Sequence, residues 1–260
     1  MEGPPDLDFE TYNPTQRDPR RGMIPRAVEQ IFSSMKAFNE KGWKYQLSAS
    51  FFEIYNDSIR DLLGSKICKQ KVDHQIRHSD HKTEITNLSI VEVRSAHGIY
   101  PLLAEAKRNR AVGETKMNIS SSRSHSVFQL FLEGSHEALG KSSYGVLNLI
   151  DLAGSERLNE SQAHLIGPER LKETQAINKS LSCLGDVIVA LSRKDVHVPF
   201  RRSKLTYALM NCFGGDAKTL MMVNIAPEQQ NYNETLCTVR FAQKVNGCQI
   251  GTAKKFVSQQ

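Results

Sequence analysis

Apolar positions along the 260-residue chain fall into a few well-separated periodic stretches. From Ile24, a stripe of Ile24, Val28, Ile31, Phe32 and Met35 recurs at three- and four-residue steps. That spacing predicts a helix, with Pro25 accommodated in its first turn. Residues 45–55 read as a strand that stops at Asn56-Asp57. Ile99, Leu102, Leu103, Ala106 and Ala111 predict a second helix over 98–112. Strands are expected over 127–132 and 146–150, the latter a near-continuous apolar run of the kind a buried central strand carries. The longest helix is predicted over 169–192, where Leu171, Ile177, Leu181, Leu184, Ile188 and Leu191 form one stripe. Arg193 and Lys194 follow it, where a helix C-terminus favours cations.

A shorter helix over 203–213 has Ser203 as its N-cap and Gly214-Gly215 as its stop. Residues 219–226 read as another buried strand. Asn231-Tyr232-Asn233-Glu234 resembles a capping box that opens a last helix through Val245, ended by Gly247. Residues 1–22 have no apolar period and are expected to be a flexible lead-in loop, and polar residues 64–82 a loop or short hairpin. Strands alternating with helices indicate an α/β layered fold.

Composition narrows the function classes. No apolar run approaches the roughly 18 residues of a membrane-spanning helix, so no membrane partner is expected. The five cysteines are scattered without a CxxC pair, which reads as reduced thiols and not as a disulfide framework or zinc site. A net charge of +6 favours an acidic partner without choosing among nucleic acid, lipid and protein. No aromatic-interleaved basic strand or recognition-helix signature is present, so nucleic acid is not the expected partner. His74, His78 and His81, with Asp73 and Asp80, lie in a polar stretch without matching ligands elsewhere and read as loop residues.

Two segments carry candidate chemistry. Asn118, Ser121, Ser122 and Arg123 form a serine-rich loop before a strand, offering hydroxyls to Mg²⁺ or phosphate and one guanidinium to a charged partner. Asp151-Leu152-Ala153-Gly154-Ser155-Glu156 follows the apolar run that ends at Ile150. An Asp at a strand's C-terminal end can approach Mg²⁺ through water, and a following Gly lets its backbone N–H come close to a phosphate. Turns use Asp and Gly too, so neither segment alone is specific.

Together they are specific: NxxSSRSH followed by DLAGSE resembles the switch I and switch II loops of kinesin motors. Residues 177–185 resemble the kinesin helix that lies on tubulin, and residues 197–206 the next tubulin-contacting loop and helix start. The likeness runs in order over about residues 23–249, and Trp43-Lys44-Tyr45, Asn109-Arg110-Ala111-Val112 and the ending at Cys248 are most similar to the kinesin-14 class. The resemblance implies a kinesin/myosin-type P-loop NTPase fold of three layers, with a central mixed sheet flanked by helices. It also implies a partial motor domain over 23–249 and a C-terminal tail over 250–260.

By the same resemblance, Ser121 and Ser122 serve Mg²⁺ and the attacking water, and Asn118 belongs to the nucleotide site. Ser122 ligates the metal with Asp151 in its outer shell, and Gly154 contacts the γ-phosphate. Arg123 and Glu156 form the ion pair that closes the two switches, and Lys179, Arg201 and Lys204 face tubulin. The sequence departs from the family at Ile119, where many kinesins carry an acidic residue, and at Arg202, where they usually carry Asp or Asn.

One required segment is missing from these residues. A kinesin needs GxxxxGK(S/T), whose backbone N–H groups cradle the phosphates while its Lys neutralises them, and no such run occurs here. The opening Met1-Glu2-Gly3 resembles the stretch just after that loop, so the chain is expected to begin there, without the phosphate loop and the earlier strands. ATP and Mg²⁺ are then the cofactors of the intact family motor, a microtubule-stimulated ATPase, and this chain alone is expected not to bind them tightly or to turn over. The implied partners are microtubules and a second copy through a stalk outside these residues. The implied locations are cytoplasm and cytoskeleton, with the spindle or nucleus beside them, and movement is toward the microtubule minus end. The competing reading is a non-catalytic, microtubule-binding kinesin-like module.

Overall fold

The computed structural model describes residues 1–4, 9, 18–64, 73–79, 82–117, 123–155, 167–250 and 257–259. A sheet ordered β2-β1-β6-β7-β8 lies at its centre, with β5 also pairing β1. The strands are β1 (Lys44–Tyr55), β2 (Ser58–Asp61), β5 (Val91–Glu92), β6 (His125–His136), β7 (Lys141–Asp151) and β8 (Val257–Gln259). Strands β3 (Ile76–Ser79) and β4 (Lys82–Ile85) form a separate hairpin, so residues 64–82 are partly the short hairpin expected of them. Every ladder among the described residues is antiparallel.

Strand β1 makes the layering legible. Because successive side chains point to opposite faces, Leu47, Ala49 and Phe51 enter one apolar cluster and Phe52 and Ile54 another. The first cluster is closed by helices α1 (Met23–Asn39) and α2 (Ile99–Met117), through Ile24, Val28, Ile99 and Leu103. The second is closed by α3 (Pro168–Arg193) and the short α4 (Lys204–Ala208), through Leu184, Val187, Ile188 and Leu205. Two helical layers with a sheet between them make the three-layer α/β fold. A buried Phe is worth about 1.5–3 kcal/mol over an exposed one; β1 and β6 carry three fully buried ones, Phe51, Phe52 and Phe128.

Local chemistry sets the ends. Asn56 and Asp57 both have positive φ (47° and 54°), so they do more than stop β1: they form the two-residue turn that folds β2 back, pairing Tyr55 with Ser58. Of the expected lead-in, residues 1–4, 9 and 18–22 are described and hold no helix or strand. The Met1 and Glu2 carbonyls accept from Ile24 N and Gly22 N at 3.2 and 2.9 Å, satisfying donors at the start of α1 that have no helical partner. A Cβ at Gly22 would stand 1.9 Å from the Met1 oxygen, so only glycine allows that approach. Helix α3 ends on Lys194 in the left-handed conformation, its N–H directed to the Ala190 and Leu191 carbonyls.

Three sequence expectations fail. Strand β7 is not a buried central strand: Val146 and Leu147, which point to opposite faces, are 40% and 36% exposed. Among the described residues its only partners are β6 and, at Lys141, Ser142 and Ser143, β8. Residues 219–226 form no strand, and Leu220, Met222 and Ile225 are exposed, because no strand among the described residues gives them a ladder. The capping box is not made. Helix α5 (Tyr232–Asn246) follows a 3-10 turn at Gln229–Asn231, and the Asn231 side chain donates back to Glu228 instead. The expected tail, 250–260, holds β8.

Candidate functional site

Register brings the two candidate loops together. Ser126 on β6 sits opposite Asp151 on β7, so the strand leaving the serine-rich loop and the strand entering the DLAGSE loop meet at one end of the sheet. Of the residues assigned from the motifs, Asn118, Ser121, Ser122 and Glu156 lie outside the described residues. So does the Arg123–Glu156 pair that the resemblance implies. Arg123, Asp151 and Gly154 are described, with Asp151 exposed at the end of β7.

Arg123 reaches across to α3. Its Nη1 donates to Glu173 Oε2 at 3.0 Å, and Glu173 is buried. Two residues on, the buried His125 imidazole makes two hydrogen bonds: Nδ1 accepts from Ala153 N at 3.0 Å, and Nε2 meets Ser180 Oγ at 2.8 Å. Burial alone pulls the His125 pKa from 6.5 to about 4, so the ring is neutral near pH 7. Glu173 and Ser180 are seven residues apart, two helical turns, and therefore share the face of α3 turned to this end of the sheet.

Beneath lies a buried charge cluster. Glu53, on β1, is fully buried, with Oε1 2.7 Å from Arg60 Nη2 and Oε2 3.8 Å from Arg110 Nε. The Oε1 approach is close but not directed as a hydrogen bond, so its attraction is mainly Coulombic. Ser124 Oγ donates to Glu53 Oε2 at 3.3 Å, fixing the residue between Arg123 and His125. Arg110 also pairs with Glu2 at 3.2 Å and lies over the Phe51 ring.

On the other side of α3, Lys179 is exposed. Asp186, seven residues further and on the same face, binds the Arg202 guanidinium in a short ion pair. The turn carrying exposed Arg201 is thereby anchored to the face that carries Lys179. Arg202, the departure from the family pattern, is spent on this contact. Ser203 caps α4, accepting from Thr206 N at 3.2 Å, and Asp57 Oδ1 accepts from Lys204 N at 2.9 Å. Arg201 lies over the Tyr207 ring, which packs against His78. Burial is the largest influence on His78 and lowers its pKa. His74 bonds the Thr86 carbonyl, and no group of three metal-ligating side chains occurs among the described residues.

Sequence reasoning passed over His125, Glu173 and Glu53. Two of them left a signal: His125 stands inside the SSRSH motif, and Glu53 is a lone charge within an apolar strand, whereas Glu173 left none. Of the groups that the resemblance assigns to a Mg²⁺-nucleotide, those described are the Arg123 guanidinium, the Asp151 carboxylate and the Cβ-free backbone at Gly154. These groups by themselves do not make a triphosphate cradle.

The layered sheet, the two loop ends joined at His125 and the long helix across them point to a known family. Residues 7–248 match the kinesin motor domain, and the chain belongs to that family. Relatives about half identical to it include several of the kinesin-14 type. It is 52% identical over 246 residues to kinesin-like protein KIN-14M of Arabidopsis thaliana, covering 92% of this chain and 33% of the relative. It is 49% identical over 257 residues to carboxy-terminal kinesin 2 of Xenopus laevis, covering 98% and 38%. Among solved structures, the motor domain of the Saccharomyces cerevisiae kinesin-related protein Kar3 superposes with a TM-score of 0.73 at 46% identity, covering 88% of this chain and 68% of that one. The chain thus spans about a third of the length of the curated relatives it matches.

Proposed function

We propose that this chain is the track-binding and switch part of a kinesin-14 motor, which couples ATP hydrolysis to minus-end-directed movement along microtubules. Residues 169–206 form the microtubule face, with Lys179, Arg201 and Lys204 meeting the acidic tubulin surface. Ser121, Ser122, Asp151 and Gly154 serve Mg²⁺ and the terminal phosphate, and Arg123 and Glu156 close the loops over them. The observation that carries this reading is one bonded junction: Arg123 and His125 leave the first loop, His125 holds the second at Ala153, and both residues grip α3. A phosphate shared by two loops gives them a common partner, and its loss releases them. Dimerisation through a stalk and action at the spindle belong to the whole protein.

The test is co-sedimentation of the 260-residue chain with microtubules across a salt series. Binding that weakens as salt rises is expected, because the contacts are between exposed charges; no binding at low salt defeats the reading.

A second reading, a non-catalytic microtubule-binding module, is favoured by the absence of GxxxxGK(S/T) from these residues. A fluorescent ATP analogue separates the two. If it binds a longer product carrying a phosphate loop but not the 260-residue chain, the motor reading holds. If it binds neither while microtubule binding persists, the module reading holds.

A further inference from the structure

The hydrogens around His125 have one consistent arrangement. Ala153 N–H points at Nδ1, which must therefore accept and carry no proton. In the neutral ring Nε2 then carries the proton and donates to Ser180 Oγ at 2.8 Å. The Ser180 hydroxyl hydrogen is already committed to the Ile177 carbonyl at 2.7 Å, one turn back in α3. The result is a single directed chain from the backbone beside Gly154, through one imidazole, into the middle of the long helix. All three side-chain or backbone stations are sealed from water: Ala153, His125 and Ser180 are 5%, 3% and 8% exposed. Water therefore cannot replace either bond cheaply, and breaking one leaves a buried polar group unmet.

We propose that His125 is a positioning residue that locks the backbone at Ala153 to Ser180 on α3, so that the DLAGSE loop and the track-facing helix shift as one unit. The Arg123–Glu173 pair reaches the same helix face two turns earlier, from the first loop. His125, the first residue of β6, is bonded at once to the second loop and to α3. Coupling of this kind is reciprocal: whatever moves α3 must disturb the Ala153 amide. This inference rests on the proposed microtubule face only for its second half, and the experiment separates the two.

The track-free arm compares Ala153 amide hydrogen exchange in the 260-residue chain, Ser180→Ala and Ser180→Thr. Without the hydroxyl, the imidazole loses its far anchor, and exchange at Ala153 should accelerate roughly ten-fold, the scale of one lost hydrogen bond. Ser180→Thr keeps a hydroxyl and should restore the slow rate. Imidazole ¹⁵N shifts of the unaltered chain at neutral pH should show Nδ1 unprotonated and Nε2 protonated, a signature that packing alone would not impose. An Nδ1-protonated or cationic ring overturns the proposal whether or not the variants fold. So does Ala153 exchange that stays within about two-fold of the unaltered chain in Ser180→Ala, less than one hydrogen bond's worth.

The second arm adds microtubules. Exchange at Ala153 should change on binding in the unaltered chain and remain unchanged in Ser180→Ala. Binding without any change at Ala153, or a change that survives in Ser180→Ala, overturns the transmission. If the unaltered chain does not bind microtubules, the reading under Proposed function fails, and the track-free arm alone decides the lock.

Discussion

Removing Arg60 should damage the protein more than neutralising Glu53, although both changes break the same ion pair. Glu53 is fully buried, whereas the Arg60 side chain keeps 30% of its surface in water. Arg60→Ala therefore strands a carboxylate in the sheet interior, and breaking a buried pair this way costs about 3–5 kcal/mol. Arg110 at 3.8 Å and the Ser124 hydroxyl at 3.3 Å remain beside it, which argues for the lower end, about 3 kcal/mol. Glu53→Gln keeps the volume, and the part-exposed Arg60 still donates through Nη2 to the Asn109 carbonyl, so its cost is nearer about 1–2 kcal/mol. At about 2–4 °C of melting temperature per kcal/mol for a domain near this size, Arg60→Ala should melt about 6–12 °C lower and Glu53→Gln about 2–8 °C lower. Thermal unfolding followed by near-ultraviolet circular dichroism reads both. If Glu53→Gln proves the worse of the two, or Arg60→Ala melts with the unaltered chain, the reasoning about desolvation is wrong.

Arg201→Ala should weaken microtubule co-sedimentation about two- to five-fold at low salt, the worth of one exposed charge against an acidic surface. Arg202→Ala should change it by less, since that guanidinium is already occupied by Asp186; unchanged binding of Arg201→Ala across the salt series would remove Arg201 from the interface. Ser203→Ala should cost about 1 kcal/mol through loss of the α4 cap, and urea unfolding reads it as a lower midpoint with unchanged slope. Acidification should destabilise the protein through His125. Its folded pKa, about 4, lies below the ordinary 6.5, so the unfolded chain binds the proton first and stability falls as pH drops from 6.5 toward 4. The full effect is about 3 kcal/mol, and His125→Asn should show a smaller acid-induced decline; an identical pH profile in the two proteins removes His125 as the cause.

Legibility in the sequence followed how local each signal was. The stripe from Ile24 to Met35 and the strand over 45–55 read correctly because their burial follows the period of their own side chains. The β1–β2 turn was half visible: Asn56-Asp57 marked an end, but only the paired positive φ values show a hairpin. Strand β7 misled because an apolar run reports composition and not the number of neighbours, and its neighbours are set by pairings far along the chain. The site divides the same way. Arg123, Asp151 and Gly154 are assigned by motif alone, whereas Glu173 and Ser180 became visible only once α3 lay across the end of β6. Glu53 reads as an interruption of an apolar strand until Arg60 and Arg110 arrive beside it.

Beyond Ser143, the outer rim of β7 offers alternating amide hydrogens and carbonyl oxygens that no other described strand takes up, flanked by the uncovered side chains of Tyr144, Val146 and Leu147. Such a rim is a template for any extended peptide that reaches it, including the same rim of another molecule. The 260-residue chain by itself should therefore associate as its concentration rises, and Val146→Lys should keep it monodisperse in sedimentation velocity.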